Sequence, residues 1–118
     1  KVNKKDRESK VLEAIEWVGL SDKIYSRPNQ LSGGQCQRTA IARAIVHQPS
    51  LVLADEPTAN LDAENSHHIM EIMKSLNTKL NTSFIFATHD EKIMGYLHRI
   101  IHLDDGRICE DKIIKKHN

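Results

Sequence analysis

The sequence predicts an α/β chain in which parallel strands are joined by crossover helices. Three observations carry that expectation. Leu51-Val52-Leu53-Ala54 is apolar without polar alternation, the pattern of a strand buried on both faces of a parallel sheet. Ser83-Phe84-Ile85-Phe86-Ala87-Thr88 is a second buried-strand run. Between the two, Ile69, Ile72, Met73, Leu76 and Leu80 recur at three- and four-residue spacing and make one apolar helical stripe. A right-handed crossover is the strong default for such a unit.

Taken in order, residues 1–10 are polar and charged and are expected to fray. Val11, Ile15 and Val18 then mark a helix that stops at Gly19. Residues 20–30 read as a connector holding Pro28 and Asn29, with one helical turn near residues 22–26; Trp17 and Tyr25 read as packing residues, not as a ligand box. Ser32 is a good N-cap, and Gln35 three residues later completes a capping box that opens the next helix. Behind it Ala40, Ile41, Ala44 and Ile45 give one apolar face, leaving Gln37, Arg38 and Arg43 wet.

Beyond the first strand a turn closes on Asp62, which can cap the crossover helix. His67 and His68 are adjacent and so diverge around that helix, which argues for solvated histidines over a metal site. Asp90 can cap a short helix through Leu97, although Gly95 weakens it by roughly 1 kcal/mol relative to Ala. Residues 99–103 and 108–114 flank Asp104-Asp105-Gly106, a good hairpin turn, and the tail from Lys115 to Asn118 is expected to be loose.

Composition narrows the function classes. With 118 residues, 39% hydrophobic and a formal charge of +1, the chain fits one modest globular unit and not a disordered or strongly basic one. Seventeen Lys and Arg are interleaved with sixteen acids, and 4% aromatics leaves few stacking platforms, so no nucleic-acid partner is expected. Cys36 and Cys109 lie far apart without a C-x-x-C, which argues for reduced thiols in a cytosolic setting. No apolar run reaches 18 residues and no signal peptide is visible; the missing initiator Met reads as a sign of a fragment.

The chemistry sits at the element boundaries. Gly33 and Gly34 let a ligand approach the backbone at a helix start, where free N–H groups and the dipole favour an anion by roughly 0.3–1 kcal/mol per charge. Taken alone, Ser32-Gly33-Gly34-Gln35 is also what an ordinary capped helix looks like. Asp55 and Glu56 follow the first strand, and in open α/β sheets ligands bind beyond the carboxyl ends of the strands. A lone Asp-Glu commonly ends a strand as two solvated charges; the apolar lead-in and the Pro57 exit count against that here. Strand alternation would point the two carboxylates to opposite faces and so to different jobs, with Pro57 holding Glu56 extended. His89 occupies the same place beyond the second strand.

Together these residues resemble a known family. Leu-Ser-Gly-Gly-Gln at 31–35, the Walker B run from Leu51 to Glu56, Asn60-Leu61-Asp62 and Thr88-His89-Asp90 resemble, in order and spacing, the ATPase subunit of an ABC transporter, and the likeness extends from about residue 10 to 111. The wording ADEPTANLD is most similar to subunits of the lipoprotein-release, macrolide-export and glycolipid-export group. The family's P-loop, G-x-x-x-x-G-K-[ST], is absent, for none of Gly19, Gly33, Gly34, Gly95 and Gly106 precedes a lysine. The upstream adenine-stacking aromatic and the glutamine loop are absent too.

The resemblance therefore implies the C-terminal half of a P-loop NTPase core, residues 49–118, preceded by part of the helical subdomain, residues 1–48. It implies ATP and Mg²⁺ as cofactors. Asp55 would hold Mg²⁺ through water, Glu56 would polarise the attacking water and His89 would contact the γ-phosphate. Ser32, Gly33, Gly34 and Gln35 would bind the γ-phosphate of nucleotide held by a second ATPase subunit, and Asp62 would help couple the two sites. The implied parent hydrolyses ATP to drive export, working with separate membrane-spanning permease subunits and lying in the cytoplasm on the inner face of the membrane. An alternative treats the chain as it stands as a non-catalytic interaction module without a P-loop. A soluble ABC ATPase of DNA repair or translation is a third, but the long insertions or fused cassettes of those proteins are not seen here.

Overall fold

A computed structural model describes residues 3–23 and 32–114. The expectations for Tyr25, Pro28, Asn29, Leu31 and the tail from Lys115 lie outside the described residues. Helix α1 runs Lys4–Trp17, so the segment expected to fray is helical from its fourth residue. The cause is local. Asn3 Oδ1 accepts from the Asp6 amide at 2.8 Å, and Asp6 adds negative charge to the first turn, which the helix dipole favours. Gly19, at φ +75°, ends the helix where a side chain would be strained. A 3₁₀ turn follows at Ser21–Lys23.

Helix α2, Gly33–Ile45, opens on the capping box: Gln35 N donates to Ser32 Oγ and Ser32 N donates to Gln35 Oε1. Its buried face is Gly34, Ile41, Ala42 and Ile45, while Ala40 and Ala44 are exposed. The expected stripe is thus rotated. Two isoleucines decide the orientation because each removes far more apolar area from water than an alanine does. Gln37, expected wet, is half-buried and donates to Pro57 O, and Arg38 is half-buried as well.

Strand β1, Leu51–Asp55, and strand β2, Ser83–Ala87, pair in parallel from Leu51↔Ser83 to Asp55↔Ala87, joined by helix α3, Ala63–Leu80. Thr82, fully buried, sets the start of β2 against β1 by donating to Pro49 O at 3.1 Å. Helix α3 buries Ile69, Met70, Met73 and Leu76 against Ile41 and Ile45 of α2 and Ala14 and Val18 of the first helical segment. Val52, Ala54, Phe84 and Phe86 pack on this core from the sheet. The opposite face of the sheet is open. Leu51, Leu53 and Ile85 are exposed, against the expectation of strands buried on both sides, because among the described residues the core covers one face only.

A 3₁₀ helix, Glu91–Tyr96, capped by Asp90, drops Ile93 into the core. Strands β3, Arg99–Asp104, and β4, Arg107–Ile113, form the expected hairpin. Its turn has positive φ at both Asp105 and Gly106, the conformation for which Asp-Gly is suited. A register shift falls between His102 and Leu103. No helix among the described residues is long and apolar enough to cross a membrane.

Candidate functional site

Parallel pairing brings the two strand ends to one edge, and the chemistry-bearing residues leave the sheet there. Asp55 pairs with Ala87, and the Glu56 amide donates to Ala87 O at 2.8 Å. The chain then turns sharply. Glu56 has φ +47°, left-handed and not extended as Pro57 led us to expect. Interactions across the loop outweigh the local preference of a residue before proline, and hold Glu56 where few non-glycine residues sit.

Those interactions are specific. Glu56 Oε1 lies 2.8 Å from His89 Nδ1, and Glu56 Oε2 accepts from Thr88 Oγ1 at 3.0 Å. Thr88 Oγ1 in turn accepts from the Asp90 amide at 3.0 Å. Asp90 Oδ2 accepts from Thr58 Oγ1 at 2.8 Å. The Lys92 backbone N–H and then the Thr58 hydroxyl hold the Asp90 carboxyl below the usual carboxylate range, since both stabilise the charged form. The His89 side chain is 94% exposed and that of Glu56 33%, so the pair is open to a ligand from outside. Asp55 ends the exposed row begun by Leu51 and Leu53, while Glu56 turns across the loop, so the two acids do part company.

The second cluster lies where helices α2 and α3 begin. Ser32 and Gln35 bond each other, and Asp62 Oδ1 accepts from the Asn65 amide at 2.8 Å as the cap of α3. Gly34 is buried. A Cβ there would stand 2.6 Å from Asn65 Oδ1, so this glycine makes room for the chain's own α3, and only Gly33 of the pair is exposed. Gln37 Nε2 donates to Pro57 O at 2.7 Å and ties helix α2 to the loop carrying Glu56. The predicted residues thus form two groups: Asp55, Glu56 and His89 at the strand ends, and Ser32, Gly33, Gly34, Gln35 and Asp62 at the helix starts.

Thr58, Thr88 and Gln37 carry bonds in this region that the sequence reading did not assign. The available signal was weak: hydroxyl residues two positions after Glu56 and one before His89, beside charged groups. The donor set can be tested against the implied ion. Mg²⁺ keeps several waters and binds through one or two carboxylates plus phosphate oxygens, so a single exposed Asp55 suits it. Among the described residues no group of three or more His, Cys, Asp or Glu gathers to hold a metal by itself.

A family model described as ABC transporter matches residues 1–59, half of the chain. The chain is 47% identical over 104 residues to the lipoprotein-releasing system ATP-binding protein LolD of Legionella pneumophila (strain Lens), an alignment covering 88% of this chain and 46% of that protein. It is 44% identical over 111 residues to the cell division ATP-binding protein FtsE of Streptococcus pneumoniae serotype 2 (strain D39 / NCTC 7466), covering 93% and 48%. Among solved structures, a dimeric post-hydrolysis state of the ATP-binding cassette MJ0796, bound to ADP and Pi, superposes with a TM-score of 0.79 at 35% identity, covering 99% of this chain and 51% of that one. The chain therefore spans about half the length of the proteins it matches. By family match and by fold, this chain belongs to the ABC transporter family of ATP-binding proteins.

Proposed function

We propose that the chain carries the water-activating and partner-facing part of an ATPase subunit that binds and hydrolyses ATP to power a transporter. The observation that carries this reading is the Glu56 carboxylate, turned off the end of β1 and held by Thr88 and by an exposed His89. Glu56 is the general base: it takes a proton as a water oxygen attacks the γ-phosphorus and the bond to the ADP oxygen breaks. His89 faces the γ-phosphate. Asp55 would hold Mg²⁺, whose charge would offset the negative charge of the phosphates.

The Ser32–Gln35 turn, exposed at Ser32 and Gly33, faces nucleotide carried by a second copy of the subunit, with Asp62 beside it linking the two sites, so the working form is a dimer. The dimeric MJ0796 cassette supports that arrangement. Likeness to the lipoprotein-releasing protein favours export through separate membrane-spanning subunits, with the ATPase in the cytoplasm on the inner membrane face. The test is Glu56→Gln in the full-length subunit. Hydrolysis should fall by roughly 10²- to 10⁴-fold, the usual loss for a general base, while ATP binding survives. Near-normal turnover would remove Glu56 from this role.

A second reading concerns the 118 residues by themselves, and the absence of a G-x-x-x-x-G-K sequence favours it. Positioning of phosphate dominates phosphoryl transfer, so this polypeptide acts as a non-catalytic module. An ATPase assay on it should show no Mg²⁺-dependent turnover.

A further inference from the structure

The roles given to Glu56 and His89 leave three polar side chains on the same two loops unassigned. We propose that Thr88, Asp90 and Thr58 are positioning residues that fix the Glu56 carboxylate, an inference that rests on the reading of Glu56 as the base. Thr88 carries the step. The Asp90 amide can only donate, so Thr88 Oγ1 accepts there, at 3.0 Å, and its own hydrogen is directed to Glu56 Oε2, also at 3.0 Å. Asp90 is itself held at both oxygens, by the Lys92 amide at 2.9 Å and by Thr58 Oγ1 at 2.8 Å.

The bonds cross between loops. Thr58, two residues after Glu56 and 2% exposed, reaches from the first loop to Asp90 on the second. Thr88, two residues before Asp90, reaches from the second loop back to Glu56 on the first. A closed ring of this kind resists rotation of the Glu56 side chain and holds its backbone at φ +47°. His89, between Thr88 and Asp90, is left projecting with its ring exposed.

The experiment compares Thr88→Val with Thr88→Ser in the full-length subunit, alone and with Glu56→Gln. Valine keeps the shape and removes the hydroxyl. We expect Thr88→Val to lower kcat by roughly ten- to a hundredfold, as for loss of a hydrogen bond to a charged group, with KM for ATP and the melting temperature little changed. Thr88→Ser should recover most of the rate, and Thr88→Val should remove no further activity once Glu56 is glutamine. Thr58→Val, which leaves Asp90 Oδ2 without its donor, should lower kcat in the same direction by a smaller factor. Wild-type kcat in both valine variants, failure of serine to recover the rate, or an equal loss in the Glu56→Gln background would overturn the positioning role while the base stands. Normal turnover in Glu56→Gln alone would instead overturn the reading of the base, and the role of Thr88 with it.

Discussion

A methyl group at Gly34 would meet the Asn65 side chain end-on, with Oδ1 at 2.6 Å and the amide carbon at 3.1 Å. The start of helix α2 therefore lies against the start of α3 with no room for a side chain. Gly34→Asp should cost about 1–3 kcal/mol, the usual range for overpacking, and Asn65→Gly in the same chain should return part of it; a denaturant titration of the wild type, the single variant and the double variant measures both effects. At this scale the sequence was informative about identity and less so about conformation. The caps at Ser32, Asp62 and Asp90 could be read from residue type and spacing because each acts within three residues of itself. The left-handed turn at Glu56 could not, because Thr88 and His89 come from more than thirty residues away.

Among the elements, the β3–β4 hairpin is laced at its open end by Arg99 and Asp111, with Nε to Oδ1 at 2.8 Å and Nη2 to Oδ2 at 2.6 Å. The Arg99 hydrogen bonds hold the Asp111 carboxyl below its ordinary value of 3.8. A carboxyl lowered on folding stabilises the folded form above its unfolded value, and that contribution is lost as the pH falls below 3.8 through the folded value. Amide protection in the hairpin should accordingly fall with acid below this pH; in Asp111→Asn it should be weaker at neutral pH and lack the additional acid step. The turn itself was legible in Asp104-Asp105-Gly106, but the pairing of Arg99 with Asp111 was not. It depends on the register shift between His102 and Leu103, which no residue type announced. Helix α2 shows a related limit: its alanines match the helical period as well as its isoleucines do, and only packing against α1 and α3 selects Ala42 over Ala40 and Ala44.

For the molecule as a whole, the open face of the β1–β2 sheet sets the behaviour of the isolated chain. Leu53 and Ile85 pair in register and are 73% and 56% exposed, with Leu51 beside them. Two strands make a small sheet, and within the described residues each keeps an unpaired edge, which is a template for another chain. The 118-residue polypeptide should self-associate through this face as its concentration rises, and Leu53→Lys should return it toward monomer; sedimentation velocity on both would show it, and a wild-type monomer at high concentration would count against it. The apolar run Leu51-Val52-Leu53-Ala54 gave no warning of the open side, because such a run reads alike whether one face or two will be covered.

The crossed bonds between the two loops have a consequence in time. Every side chain in them comes from the segment between Glu56 and Asp90, on the loops that follow β1 and β2, so this corner is set once those strands and α3 have come together. Fixing a backbone residue costs about 1–2 kcal/mol of conformational freedom, and here that loss falls on folding instead of recurring in each catalytic cycle. In the proposed ATPase the base is therefore already still when nucleotide arrives, and the moment of turnover is left to whatever carries the phosphate to it.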